Sequence, residues 1–288
     1  MSVLLRVCMF LCWLICQSCN LINREEEIPS YIAIDTIRLN ANTALQGSAS
    51  SKITDAWIYV DDQLVGAFEL PCKIPVLAAG EHKISVGAGV MVNGLTALRA
   101  PYPFYRFYSE NSINLNEGEV REIEPVVTYF DSLQFAFMAN FDDLSGSKLE
   151  AAGASDTTIA LVSNPELVFE GAGSMLAALY RDSGFIEFQM VEPVELPKQG
   201  TTVYLELNYK TTHILNVGLK ANYTSSGTVS APLVSLNPST EWNKIYINLT
   251  RQVSQQINAA NYRVYFYAPK PAGSGKMELF IDNMKIVY

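Results

Sequence analysis

Aromatic and polar side chains alternate with apolar ones along three segments in the second half of the chain. Tyr204, Tyr246, Tyr265 and Tyr267 fall on the polar side of their segments, together with Arg263. Tyrosine rings stack on the C–H faces of sugars, while neighbouring polar groups hydrogen-bond the sugar hydroxyls. These five residues are the candidate ligand-binding set. The alternative is that another part of the protein covers this face, so that the rings serve packing alone.

Paired carboxylates are the one arrangement in the sequence that would support catalysis. Glu187 and Glu206 lie in predicted strands, and glycosidases use two acids roughly 5–10 Å apart. The residues of other chemistries are missing, because His82 and His213 are the only histidines and Cys72 has no histidine neighbour. Among 29 acidic residues a pair arises easily by chance. We therefore expect a protein that is not an enzyme, with a glycan-cleaving enzyme as the alternative.

The N-terminus has the features of an export signal. Arg6 precedes an unbroken apolar run over residues 7–15, which is too short to cross a bilayer as a helix. Ser18-Cys19 follows, and the whole segment resembles a bacterial lipoprotein signal. That resemblance implies a signal peptide over residues 1–18 and lipid, such as palmitate, on Cys19. The protein would then be attached to the outer membrane through this lipid anchor.

A polar tether over residues 19–28 follows the signal and contains three consecutive acids, Glu25 to Glu27. This acidic run resembles the export tag of surface lipoproteins in the Bacteroidetes. An ordinary solvated linker is the alternative, so the sequence leaves open whether the body faces the cell surface or the periplasm. Beyond the tether Cys72 is the only cysteine, and it has no partner for an internal disulfide.

Composition excludes two classes of protein. The chain of 288 residues is 49% hydrophobic, which is too apolar for a disordered protein. Its net charge is −9, and loss of Arg6 with the signal would make it −10. Nucleic acid is not an expected partner, because neutralising phosphates needs clustered lysine and arginine.

Short alternating runs broken by Gly, Asn, Asp and Pro recur along the chain, and no long run has the period of a helix. This pattern predicts an all-β protein. A gap in the pattern near residue 138 divides it into two domains, over residues 29–138 and 139–288. In the first domain, a strand ending at Val60 and an acidic turn predict a hairpin. After this hairpin, a further strand is predicted to end near Val86, and the next one is predicted to start at Val90.

The segment YVDDQLVGAFELPCKIPVLAAGEHKISV, over residues 59–86, resembles PEGA-type and related immunoglobulin-like modules. In those modules a short hairpin precedes a Pro-containing strand and a strand of the form G-x-H-x-I-x-V. The resemblance implies an N-terminal immunoglobulin-like β-sandwich with no enzymatic role.

The second half resembles the galactose-binding-like jelly roll of many carbohydrate-binding modules. Four segments contribute to this likeness: NFDD (140–143), EGAGSMLAAL (170–179), EWNKIYINLT (241–250) and LFIDNMKIVY (279–288). The resemblance implies a C-terminal β jelly roll, and it also implies one structural Ca²⁺ between the opening and closing strands. Asp142, Asp143 and Asp282 occupy the matching places. The alternative is that they form a turn and a strand bulge.

Five aromatic residues fall within residues 102–108 of the first domain. They predict either a docking surface for a partner or glycan, or a covered seam between the domains. The function expected from the sequence is that of a non-catalytic envelope protein which binds glycan or another envelope component. The alternative is a structural or assembly lipoprotein that acts through contacts with an envelope protein.

Overall fold

The computed structural model of this chain describes residues 26–153 and 155–288. The predicted signal peptide, Cys19 and the first part of the tether lie outside the described residues, so these predictions are not tested. In the described ranges, no helix has both the length and the apolar character needed to cross a membrane.

Strands dominate both halves of the chain, and the prediction of an all-β protein is confirmed. The first eleven strands are β1 (Ser30–Ile34), β2 (Arg38–Asn40), β3 (Asp55–Val60), β4 (Gln63–Glu69), β5 (Cys72–Val76), β6 (Gly80–Met91), β7 (Arg99–Pro101), β8 (Tyr105–Arg106), β9 (Tyr108–Leu115), β10 (Val120–Glu122) and β11 (Val126–Tyr129). They form a five-stranded sheet, β4-β3-β6-β7 with β9 also paired to β6, and two three-stranded sheets, β10-β1-β5 and β2-β11-β8.

The second half contains β12 (Phe135–Ala139), β13 (Leu149–Ala151), β14 (Thr158–Val162), β15 (Ser174–Leu179), β16 (Gly184–Met190), β17 (Tyr204–Thr211), β18 (Leu215–Tyr223), β19 (Gly227–Leu236), β20 (Ser239–Asn248), β21 (Asn261–Lys270) and β22 (Met277–Val287). One sheet has the order β14-β15-β22-β17-β20, with β12 also paired to β22, and the other has the order β13-β16-β21-β18-β19. The described residues also contain two short helices, α1 (Thr43–Gln46) and α2 (Thr250–Gln255).

Local sequence explains the predicted hairpin. Asp61 and Asp62, between β3 and β4, have φ of 50° and 64°. Two successive residues at positive φ match the right-handed twist of paired strands, and aspartate tolerates that conformation. One prediction differs from the structure, because β6 runs unbroken through Gly87 and Gly89 where the sequence suggested two strands. Both glycines are buried within this strand and pair with β3.

The two sheets of the second half face each other across an apolar core. Inward residues of both sheets form it, among them Leu205, Leu207, Phe188 and Phe266. Strand β12 straddles the predicted domain boundary, because it pairs with β22 and so belongs to this sandwich.

A second core fills the N-terminal domain and continues into the C-terminal one. Tyr204, Tyr246 and Val287 belong to it, although they come from the C-terminal sandwich. The Tyr102 ring lies 5.3 Å from the Tyr204 ring and 4.8 Å from the Tyr246 ring. The two domains therefore share a buried seam. The aromatic segment over residues 102–108 contributes to it with Tyr102, Phe104 and Tyr105, all nearly inaccessible to solvent.

A carboxylate lies at the centre of this seam. Glu206 of β17 is 0% exposed, and its Oε1 accepts hydrogen bonds from the hydroxyls of Tyr102 (2.7 Å) and Tyr129 (2.8 Å). The Nζ of Lys244 lies 3.2 Å from its Oε2. Lys285 is also buried, and it donates to the Tyr129 hydroxyl at 3.2 Å. One buried carboxylate thus faces two ammonium groups and two hydroxyls.

Lys285 connects this cluster to the N-terminal domain by further bonds. Its Nζ donates to the carbonyl oxygens of Gln46 (2.8 Å) and Ser48 (2.9 Å), at the C-terminal end of α1. Burial lowers the pKa of Lys285 to about 8. Burial alone would raise the pKa of Glu206, but Lys244, Lys285 and the two tyrosine hydroxyls outweigh it, so the pKa is lowered. The carboxylate is therefore ionised at neutral pH.

Replacing Glu206 with alanine is expected to destabilise the protein by about 3–5 kcal/mol, because two buried ammonium groups lose their counter-charge. Urea unfolding at pH 7 measures the change. Glu124→Ala is the matched control, because it breaks the exposed ion pair with Arg38 and should leave stability nearly unchanged. Equal stability of the Glu206→Ala and Glu124→Ala proteins would contradict the account of the seam.

Candidate functional site

The C-terminal sandwich has two outward faces, and the N-terminal domain covers one of them. On the covered face, Tyr204 is 4% exposed and Tyr246 is 1% exposed. The Tyr204 hydroxyl accepts a hydrogen bond from Asn248 Nδ2 at 3.1 Å, and the Tyr246 hydroxyl accepts one from the backbone N–H of Lys52 at 2.9 Å. The prediction that these two rings line an open binding face is therefore wrong.

The physical reason lies in the seam. Tyr204, Glu206 and Asn208 do point away from the sandwich core, as their alternation with apolar residues predicts. The neighbouring domain supplies aromatic rings and hydrogen-bonding groups for them, so a polar strand face is buried. An example is Ser50, whose hydroxyl donates to Asn208 Oδ1 at 3.0 Å.

The other three predicted residues lie together on the outward face of the second sheet. Arg263, Tyr265 and Tyr267 alternate along β21, the central strand of the order β13-β16-β21-β18-β19. The rings of Tyr265 and Tyr267 are nearly parallel, at 15°, with centroids 5.4 Å apart. Tyr267 is the more exposed of the two, and Tyr265 is 7% exposed.

A glycine lets the Tyr265 ring lie against the sheet. Gly218 of β18 pairs directly with Tyr265, and a Cβ at this position would collide with the ring. A glycine within a strand is unfavourable by roughly 0.5–1 kcal/mol and often marks such a close approach. The Nζ of Lys220 lies over the same ring, 5.0 Å from its centroid. Tyr265 is therefore held in one orientation.

Polar groups surround this tyrosine pair. Lys220 Nζ donates to Glu187 Oε1 (2.6 Å) and Gln189 Oε1 (2.8 Å), so it links β18 to β16 across β21. Arg263 donates from Nε and Nη2 to the carbonyl oxygen of Val191. Burial raises the pKa of Tyr265, and the neighbouring Tyr267 and Glu187 add to this effect. The hydroxyl thus remains protonated and able to donate a hydrogen bond.

We define the open tyrosine face as Tyr265, Tyr267, Lys220, Glu187, Gln189 and Arg263. Lys220 and Gln189 were not predicted as members of a site. For Gln189 the sequence does contain a signal, because Phe185, Glu187 and Gln189 of β16 alternate with buried Ile186, Phe188 and Met190. The long pairing of β18 with β21, which brings Lys220 beside Tyr265, depends on the fold and has no local signal.

The two candidate catalytic carboxylates do not meet. Glu187 points outward from one sheet of the sandwich, and Glu206 points outward from the other. Sheets packed face to face lie about 10 Å apart, and these side chains extend in opposite directions. This pair cannot act on one bond.

The three predicted calcium ligands each have protein partners instead of a common centre. Asp282 is buried and accepts hydrogen bonds from the Ser174 hydroxyl (2.7 Å) and the backbone N–H of Asn283 (2.7 Å). Its burial raises its pKa to about 6. Asp142 accepts from the N–H of Ala172.

Asp143 accepts from the backbone N–H of Ser145 at 2.9 Å, as in an Asx turn. Within residues 26–153 and 155–288, no three acidic, histidine or cysteine side chains are placed to hold a metal ion. The arrangement of Asp142, Asp143 and Asp282 therefore does not fit a calcium site.

Comparison with known proteins gives only distant similarity. No protein-family model matches the chain, and no curated protein matches its sequence. The C-terminal family 22 carbohydrate-binding module of Clostridium thermocellum Xyn10B aligns with 53% of this chain and 91% of its own length, at 16% identity and a TM-score of 0.39. A carbohydrate-binding module of the β-sandwich superfamily aligns with 81% of this chain and 84% of its own length, at 9% identity and a TM-score of 0.41.

The enzymatically active domain of bacteriophage CBA120 tailspike protein 4 aligns with 51% of this chain, at 13% identity and a TM-score of 0.39. The match spans only 20% of that tailspike chain.

Chelation is expected to leave the thermal stability unchanged, because the three aspartates are already satisfied by hydrogen bonds. The melting temperature is measured by calorimetry in EDTA and again after addition of CaCl₂. A rise of several degrees with calcium, reversed by EDTA and absent in Asp282→Asn, would restore the calcium site predicted from the sequence.

Proposed function

We propose that this chain is a lipid-anchored, non-catalytic envelope protein that binds glycan on the open tyrosine face of its C-terminal sandwich. The observation that carries the proposal is the pair formed by Tyr265 and Tyr267. Their rings lie nearly parallel on an outward sheet face that the N-terminal domain leaves uncovered.

The chemistry of the face suits a sugar ring. Tyr267 offers a ring surface for C–H contacts, and the hydroxyl of Tyr265 remains a hydrogen-bond donor. Glu187, Gln189 and Lys220 place acceptors and donors beside the rings. Lys220 and Glu187 offset each other's charge at 2.6 Å, so this pair presents no net charge to a ligand, and Arg263 is the one remaining charge among the six residues.

Pre-organisation supports the same conclusion. The Tyr265 ring is fixed between Gly218 and Lys220, and Lys220 is itself fixed by two hydrogen bonds. Side chains that are already ordered lose little entropy when a ligand binds. The stacking surface therefore exists before the glycan arrives.

The two alternative functions have less support. An assembly role through the aromatic segment over residues 102–108 has less ring surface to use, because three of its five rings, Tyr102, Phe104 and Tyr105, are buried in the seam. A glycan-cleaving role would need paired acids, and Glu187 and Glu206 lie on opposite faces of the sandwich. The lipid anchor rests on the sequence of residues 1–19 alone.

Tyr267→Ala is expected to weaken glycan binding at least tenfold, because it removes the exposed stacking ring. A glycan array probed with the soluble chain over residues 28–288 identifies the ligand, and calorimetry gives the affinity. Tyr180→Ala is the matched control, since Tyr180 is 58% exposed and lies outside the open tyrosine face. The proposal fails if the array is blank, or if both variants bind as the parent does.

Cys19→Ser is expected to abolish lipid attachment, because the thiol is the proposed acceptor. Cells expressing the full chain are grown with a clickable palmitate analogue, and the label on the protein is measured after fractionation. Cys16→Ser is the control and should keep both the label and the membrane fraction. Full labelling of Cys19→Ser would refute the anchor.

A further inference from the structure

The outward face of the five-stranded sheet in the N-terminal domain also carries aromatic rings. Trp57 and Tyr59 alternate on β3, and Phe107 lies just before β9. Trp57 and Tyr59 are partly exposed, and Phe107 is 42% exposed. The opposite side of the same strands is buried core, with Ile58 and Val86 at 0% exposure. We call Trp57, Tyr59 and Phe107 the N-terminal aromatic platform.

Two glycines of β6 form the floor under this platform. Gly87 pairs with Trp57 in the sheet, and a Cβ on Gly87 would lie 2.7 Å from Phe107 Cζ. A Cβ on Gly89 would lie 3.0 Å from Trp57 Nε1. The rings therefore lie low over the strand because no side chain stands beneath them. Glycine is unfavourable within a central strand, so this floor lowers the stability of the sheet.

The open tyrosine face uses the same arrangement. There the Tyr265 ring lies over Gly218, and Tyr267 stands beside it at 5.4 Å. On the N-terminal domain, the Phe107 ring lies over Gly87 and the Tyr59 ring stands 5.6 Å away. Two outward sheet faces of one chain thus share a glycine floor with two neighbouring rings above it.

Hydrogen-bonding groups border the platform, and Arg99 is paired there with two carboxylates. The hydroxyls of Ser85 and Ser109 contact each other at 2.6 Å beside Tyr59. Beyond Trp57, Arg99 Nη1 lies 2.5 Å from Asp55 Oδ1 and 3.5 Å from Glu69 Oε2. Hydroxyls and ion pairs beside aromatic rings match the alternating polar and apolar faces of a pyranose.

The platform is too small for a stable protein interface. An aromatic side chain offers about 150–250 Å² in all, so three partly covered rings expose roughly 300 Å² at most. A stable protein complex buries about 800 Å² on each partner. A chain of sugar units needs only a narrow track of rings, and residues two apart on a strand, such as Trp57 and Tyr59, are about 7 Å apart.

We propose that the N-terminal aromatic platform is a second glycan-binding site, which takes units of an uncharged polysaccharide. This inference rests on the proposed function of the open tyrosine face and extends it to two contacts per molecule. Both contacts can engage one polymer or one glycan-coated surface, so binding to polysaccharide gains by effective concentration, whereas binding to a short oligosaccharide does not.

Affinity electrophoresis in gels containing xylan, mixed-linked β-glucan, mannan or dextran tests the proposal. The lipid-free chain with both domains is compared with Trp57→Ala, Phe107→Ala, Tyr267→Ala and the double variant Trp57→Ala/Tyr267→Ala. We expect each single variant to weaken retardation at least fivefold and the double variant to migrate as in a plain gel. Tyr180→Ala is the control for removal of an exposed ring, and thermal melting identifies any variant that fails to fold.

Tryptophan fluorescence provides a second readout at the platform itself. After residue 27 the chain contains two tryptophans, Trp57 and Trp242. Polysaccharide is expected to shift the emission of the Tyr267→Ala protein to the blue, and Trp57→Phe should remove the shift.

The two proposals fail in different ways. If Tyr267→Ala weakens binding and neither Trp57→Ala nor Phe107→Ala does, the N-terminal site is refuted and the open tyrosine face stands. If only the platform variants weaken binding, the proposed function of the tyrosine face is refuted instead. If the parent chain binds none of the four polymers, the second site is refuted. A dimer in sedimentation that Trp57→Ala dissolves would also overturn it, by assigning the platform to a second copy.

Discussion

The carboxylate of Glu206 is shut off from solvent between the two domains, where its charge has to be balanced by the protein. Lys244 of β20 and Lys285 of β22 balance it, while Tyr102 and Tyr129 bring hydrogen bonds from the other domain. Moving the domains apart would break these bonds and expose the core that continues across the seam. Because a buried charge tolerates no loss of its partners, the cluster holds the domains in one relative position.

That position decides which surfaces can meet a ligand. The N-terminal domain covers the outward face of β17, β20 and β22 at the seam, so the rings of Tyr204 and Tyr246 contribute to stability. The outward face of β21 remains open, as does the aromatic side of β3 and β6 in the other domain. On both open faces one strand position is a glycine, and an aromatic ring from another segment lies in the space that a side chain would fill. Under the proposed function, recognition by this chain falls to flat ring surfaces.

Much of this arrangement has a local signal in the sequence, and part of it has none. Alternation with period two separated the inner and outer residues of β17, β20 and β21 correctly, and the Asp61-Asp62 turn predicted its hairpin. Alternation contains no information on what covers an outer face. For this reason the sequence predicts a ligand-binding role for Tyr204 and Tyr246. In the sequence, Asp142, Asp143 and Asp282 are equivalent candidates for calcium ligands. In the structure, their carboxylates accept hydrogen bonds from backbone N–H groups and from the Ser174 hydroxyl. The sequence predicts a strand break at Gly87 and Gly89, yet β6 runs through both glycines, and aromatic rings from other segments lie over them.

Tyrosine nitration of the folded protein, read residue by residue by peptide mass spectrometry, tests most directly whether the seam covers one face and leaves the other open. The covered seam predicts modification of Tyr267, at a rate between that of the exposed Tyr180 and that of the buried rings. Tyr102, Tyr204 and Tyr246 should remain unmodified until the protein is denatured. Modification of Tyr204 and Tyr246 in the native protein as fast as that of Tyr180 would contradict it, because the face they share would then be open to solvent.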